Sequence, residues 1–237
     1  MTAQQYRDEH RSLMDQWKTE CREWAQSNAT FYLDGAFDAE EWFNVDNKFR
    51  PLFVLKEVNE AIDEVDDCIN FVGTGDVGSD PWEGKGMWSS IGALAVAMFR
   101  MSKNPTTLPE YAFVKDTMNL QQTNTETERQ QVCRKIAIIN LKKLAGGANV
   151  GSKKSRDTLD FACHARRFAD KLEQQIKMLA PTVIICCGKT VVANSLGIEN
   201  GKIYSIPTID GFHPKQNSTE NFYYKTLREM RERGLFD

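Results

Sequence analysis

The apolar positions of this chain fall into two kinds of pattern. Over residues 1–28, Tyr6, Leu13, Trp17 and Trp24 recur at near-helical spacing in a charge-rich stretch without breakers. That spacing predicts one amphipathic helix packed by a single face. A second, short helical stretch follows over 39–47. Four unbroken apolar runs then read as buried strands: one introduced by Pro51 and Leu52, and others over 136–139, 182–187 and 203–206. The intervening segments read as helices: an apolar one over 91–101 and a long amphipathic one from Ser155 to Leu179, stopped by Pro181. A short helix follows Gly188 through Leu196, and a last one covers 219–233. Strands alternating with helices predict a mostly parallel sheet covered on both faces. The expected fold is a single three-layer α/β/α domain over 49–237 with a short, mostly parallel four-stranded sheet, preceded by an N-terminal helical extension, 1–48.

Two segments do not fit that alternation. Residues 72–90 hold Gly73, Gly75, Gly78, Gly84 and Gly86 together with Pro81, Trp82 and Trp88. A loop of that length in a compact domain is more often functional than idle. Residues 102–131, with Pro105, Pro109 and many Thr, Gln and Asn, read as a surface excursion.

Composition and charge narrow the picture in four ways. A chain that is 41% hydrophobic and 27% charged can bury a real core in water. A formal net charge of −3 means that any nucleic-acid binding must come from a local patch. The polar N-terminus and the lack of a long apolar run predict a cytoplasmic protein without secretory signal or membrane span. The six cysteines form no C-x-x-C pair, so free thiols are expected, with no metal and no cofactor.

Three strand runs lead into a polar group: Glu57, Asn140 and His213. Open α/β sheets bind ligands outside the carboxyl ends of their strands, so these three are expected to meet there. Asn140 offers both an acceptor and a donor, the pair needed to read the edge of a base. Trp82, Trp88 and Phe212 are candidates to stack on a base face. From Leu141 to Arg156 the chain carries Lys142, Lys143, Lys153, Lys154 and Arg156 and no acid. Gly146, Gly147 and Ser152 in the same stretch permit close approach to a phosphate, and the helix expected after Ser155 adds amide donors. Gly188-Lys189-Thr190 invites a nucleoside-triphosphate reading, but the required upstream glycine position is Val183, inside a strand.

In this order and spacing the motifs resemble those of the uracil-DNA glycosylase superfamily. Lys56-Glu57-Val58-Asn59 stands where the first motif would be, with Glu57 at the glutamate of a Gly-Glu-x-Pro-Gly motif and Lys56 and Asn59 replacing its glycine and proline. Ile139-Asn140-Leu141 resembles the base-reading asparagine motif, and His213-Pro214-Lys215 a His-Pro-Ser motif with Lys215 in place of serine. The resemblance runs over 51–235. It implies a glycosylase-like fold and a monofunctional, cofactor-free enzyme that flips a uracil-like or modified base out of DNA and hydrolyses its bond to sugar. Glu57 and His213 would be catalytic; Asn140, Trp88, Trp82 and Phe212 would hold the base. The basic loop and Lys215 would hold the DNA backbone. DNA repair is one implied setting; hypermodified bases of phage DNA, and with them antiviral defence, are another. Two readings compete: a non-cutting module that binds modified DNA, and a nucleoside hydrolase or deoxyribosyltransferase, which needs the carboxylate but not the basic loop.

Overall fold

A computed structural model describes residues 1–26, 31–57, 87–120, 127–144, 158–188, 190–211 and 220–236, with backbone alone at 57, 87–88, 158–162 and 190–191. In chain order the elements are α1 (Ala3–Ala25), β1 (Gly35–Ala36), α2 (Ala39–Trp42), β2 (Pro51–Glu57), α3 (Met87–Lys103), α4 (Tyr111–Thr117), α5 (Glu128–Cys133) and β3 (Ala137–Lys142). There follow α6 (Thr158–Arg167), α7 (Ala169–Leu179), β4 (Val183–Cys186), α8 (Thr190–Ser195), β5 (Lys202–Ile203), β6 (Ile206–Ile209), a π-helical turn (Glu220–Tyr224) and α9 (Lys225–Glu232).

The sheet has six strands in the order β1-β3-β2-β4-β6-β5, and it is mixed. Its four central strands, β3, β2, β4 and β6, run parallel. Three of them, β3, β2 and β4, correspond to apolar runs of the sequence. The other two strands correct the four-stranded expectation. β1 pairs antiparallel with β3, and β5 antiparallel with β6. The run over 203–206 is not one strand but the corner of a hairpin, in which Ile203 pairs with Ile206 across Tyr204 and Ser205. Both corner residues have positive φ, 49° and 69°. Two left-handed residues in succession make the tight turn that matches strand twist.

Period-two alternation divides the sheet residues between two cores. Leu52, Val54, Ala137, Ile139, Leu141, Ile184 and Cys186 join one, with side chains from α1, α2, α7 and α8. Phe53, Leu55, Ile138, Val183, Ile185 and Ile209 join the other, with α3, α4, α5 and α9. A parallel sheet buried on both faces needs such continuous apolar strands.

The N-terminal segment is built into the first of these cores. Thr2 and Gln5 form a reciprocal cap at the start of α1. Tyr6, Leu13 and Trp17 are buried as the spacing predicts, whereas Trp24 is 41% exposed. The long helix expected from Ser155 to Leu179 is instead α6 and α7, which meet at Phe168 with φ −114° and ψ 28°. The Phe168 ring is buried against Trp17, Trp24 and His164. Tertiary packing of that ring sets the local bend. Among the described residues no helix is long and apolar enough to cross a membrane.

Candidate functional site

Numbered by sequence, the four parallel strands lie in the order second-first-third-fourth. The strand order therefore reverses between β2 and β4, and this is the point at which open α/β sheets form their ligand crevice. On one side of it, Leu55 pairs with Asn140 and Glu57 with Lys142. On the other side, Cys187 N donates to Val54 O at 2.8 Å, and Gly188 N reaches Gly211 O at 3.3 Å. Space here is tight. A Cβ on Gly188 would lie 3.0 Å from Lys56 Cε and 2.5 Å from Val192 Cγ2, and one on Gly211 would lie 3.2 Å from the Cys186 carbonyl oxygen. The stem of Lys56 thus passes over Gly188, where the resembling motif has a glycine in place of the lysine. The adjacent thiols are not nucleophiles at neutral pH, since burial pushes Cys186 and Cys187 well above the ordinary thiol range.

Beside β3 the chain builds a buried polar network. Asp34, just before β1, is 2% exposed and ringed by donors. Its Oδ2 accepts from the backbone N of Asn140 at 2.7 Å and from Asn140 Nδ2 at 3.1 Å. Its Oδ1 accepts from Lys143 Nζ at 2.6 Å and from Gln175 Nε2 at 2.9 Å. Lys143 Nζ also donates to Gln175 Oε1 at 2.9 Å and stands 4.8 Å from the centre of the Trp17 ring. Because Lys143 takes the oxygen of the Gln175 amide, the nitrogen faces His10, whose Nε2 lies 3.3 Å away. His10 stacks on Tyr6 at 5.0 Å, and Tyr6 Oη accepts from Ala36 N. Burial lowers the His10 pKa to about 4, with Lys143 pushing the same way and Asp34 opposing. The imidazole is therefore neutral at pH 7.

The residues expected at the site divide into four groups. Glu57 and Asn140 sit on neighbouring parallel strands near one edge. Asn140 is not at a strand end, however: β3 continues two residues further, to Lys142, and Asn140 is buried inside it. Lys142 and Lys143 are corrected more sharply. Both were expected in an exposed basic loop, and both are buried, Lys143 completely. An ammonium held by Asp34, Gln175 and Trp17 in the interior does not reach a DNA phosphate. Trp88 begins α3, one residue after Met87. Trp82, Phe212, His213, Lys215, Gly146, Gly147, Ser152, Lys153, Lys154 and Arg156 lie outside the described residues.

Asp34, Gln175 and His10 have no place in the sequence reading. Asp34 precedes Gly35 and looks like a turn residue; only its position between Leu33 and Ala36, in an otherwise apolar segment, hints at burial. Along this edge Glu57 ends β2, and on the paired strand the Asn140 side-chain amide is held by the buried Asp34 carboxylate. No protein-family model matches this chain, and no curated protein matches it.

Proposed function

We propose that the protein hydrolyses the N-glycosidic bond of a base rotated out of DNA, at the carboxyl edge of its parallel sheet, and that its fold is of the uracil-DNA glycosylase kind. The observation that carries this reading is the strand order. It supports a crevice between β2 and β4, with Glu57 at the end of β2 and Asn140 on the strand paired with it. His213 follows two residues after Gly211 in the sequence, and Gly211 stands beside Cys186 at the same edge.

In this reading Asn140 recognises the edge of the flipped base. Glu57 stabilises the positive charge that develops on the sugar or orients the attacking water. Water oxygen bonds to the sugar carbon as the bond to the base nitrogen breaks; the bonding pair leaves with the base, to which His213 donates a hydrogen bond, and the proton lost by the water passes through Glu57 or solvent to the base nitrogen. Trp82, Trp88 and Phe212 cover the base. Lys153, Lys154, Arg156 and Lys215 neutralise phosphates. Lys56 and Asn59, in place of glycine and proline, favour a base other than plain uracil, including the hypermodified bases of phage DNA. The test is incubation with labelled DNAs carrying uracil, hypoxanthine, hydroxymethylcytosine or its glucosylated form. Alkali-sensitive abasic sites at one of these bases are expected, with Glu57→Ala and His213→Ala each at least about a hundredfold slower. No abasic site on any DNA would reject the reading.

One observation favours a second reading, an N-glycosyl enzyme acting on free nucleosides. The interior placement of Lys142 and Lys143 removes two of the five cations from the phosphate footprint. Base release from free deoxynucleosides that is unaffected by Lys153→Ala/Lys154→Ala would select it.

A further inference from the structure

We propose that Asp34 is the positioning residue of the base-reading amide, setting which end of Asn140 meets a bound base; this rests on the base-excision reading above. A carboxylate only accepts hydrogen bonds. Asp34 Oδ2 accepts from Asn140 twice, through the backbone N and through Nδ2, so the side-chain nitrogen is the end held at 3.1 Å. The flipped amide would set its carbonyl oxygen against the carboxylate, two acceptors facing each other in the interior. The carbonyl of Asn140 is therefore the end turned away from Asp34. It is held so by a group fixed in its own right. Lys143 and Gln175 bind the other carboxylate oxygen, and Gln175 Nε2 also donates to the Asp34 carbonyl at 3.1 Å. Lys143 offsets the charge that Asp34 brings inside. Ligand-reading groups act best when locked by a second layer of bonds, and a misplacement of about 1 Å can cost about a hundredfold in rate. The network supplies that layer from three separate parts of the chain: the segment before β1, the end of β3, and α7.

The test separates the hold on Asn140 from the ion pair with Lys143. In a Lys143→Met background, which removes the cation that would otherwise be orphaned, Asp34 is retained, changed by Asp34→Asn or changed by Asp34→Ala. The Asp34→Asn variant keeps one oxygen able to accept from Asn140; the Asp34→Ala variant keeps none. Base release is measured on whichever of the four modified-base DNAs the wild-type protein cuts. The Asn140 side-chain amide is followed by 15N NMR, its signal assigned by its loss in Asn140→Ser. The Asp34→Ala double variant is expected to lose about 10- to 100-fold, chiefly in kcat, while the Asp34→Asn double variant stays within about threefold of Lys143→Met. The Asn140 amide signal is expected to keep its place with Asp34→Asn and to move toward the free-amide position with Asp34→Ala. Equal activity in the two double variants, or an unmoved amide signal with Asp34→Ala, overturns the positioning role while leaving excision intact. Failure of the wild-type protein to cut any of the DNAs overturns the excision reading and the positioning role with it.

Discussion

A lysine that is wholly buried must be matched by its surroundings, and Lys143 is matched by Asp34, Gln175 and the face of Trp17. Removing an ion from water costs several kcal/mol, and the pair repays this only through such satisfied geometry. Deleting one partner leaves the other uncompensated. Asp34→Ala or Lys143→Met alone should therefore lower the unfolding free energy by about 3–5 kcal/mol, and the double variant by clearly less than the sum. Urea unfolding of the four proteins measures both statements. The same network makes stability depend on pH. His10 is held neutral, with its pKa lowered to about 4 from an ordinary 6.5. Between these values the unfolded chain binds more protons than the native one. The contribution of His10 is thus full above pH 6.5 and is lost progressively as the pH falls toward 4, amounting to about 3 kcal/mol. Thermal melts from pH 7 to 4 should show this slope, and His10→Gln should flatten it. At this scale the sequence was least legible. Glu57 and Asn140 stand out because they follow apolar runs, whereas Asp34 before a glycine resembles any turn acid. The interior fate of Lys143 follows from a partner 109 residues away.

At the scale of elements, long apolar runs were readable because burial on both faces leaves little choice of residue. Strands β2, β3 and β4 and the buried helix α3 follow from that. The edge strands do not, since β1 and β5 are two residues each and carry no periodicity. β1 depends on a backbone feature instead. Gly35 has φ +148°, and a Cβ there would stand 2.3 Å from Tyr6 Oη and 3.1 Å from His10 Nε2. Gly35→Ala combines backbone strain with overpacking and should cost roughly 2–4 kcal/mol in urea unfolding. The β5–β6 corner offers the opposite case. Ser205 holds φ 69° without being glycine, so Ser205→Gly should stabilise by about 1 kcal/mol. The corner was missed because neither Tyr204 nor Ser205 is a usual left-handed residue. The bend between α6 and α7 was missed because its cause, the packing of Phe168, is tertiary.

For the molecule as a whole, the order of the strands matters more than any one motif. Residues 1–48 contribute α1 to one core and β1 to the sheet edge, and through Tyr6, His10 and Trp17 they enclose the network behind Asn140. The remaining chain sets β2 and β3 side by side, so that Glu57 and Asn140 approach the same edge from segments about 80 residues apart in the sequence. The alternation of strands and helices made a parallel α/β sheet legible; the mixed edges, and the burial of two lysines of the basic stretch, depended on pairings the sequence does not display. Cutting of a base from its sugar at this edge is read most directly from the freed base itself. Oligonucleotides carrying each modified base are incubated with the protein, and the small-molecule fraction is analysed by mass spectrometry. One free base is expected, released in equal number with abasic sites and lost in Glu57→Ala. Intact DNA with every base retained would contradict it.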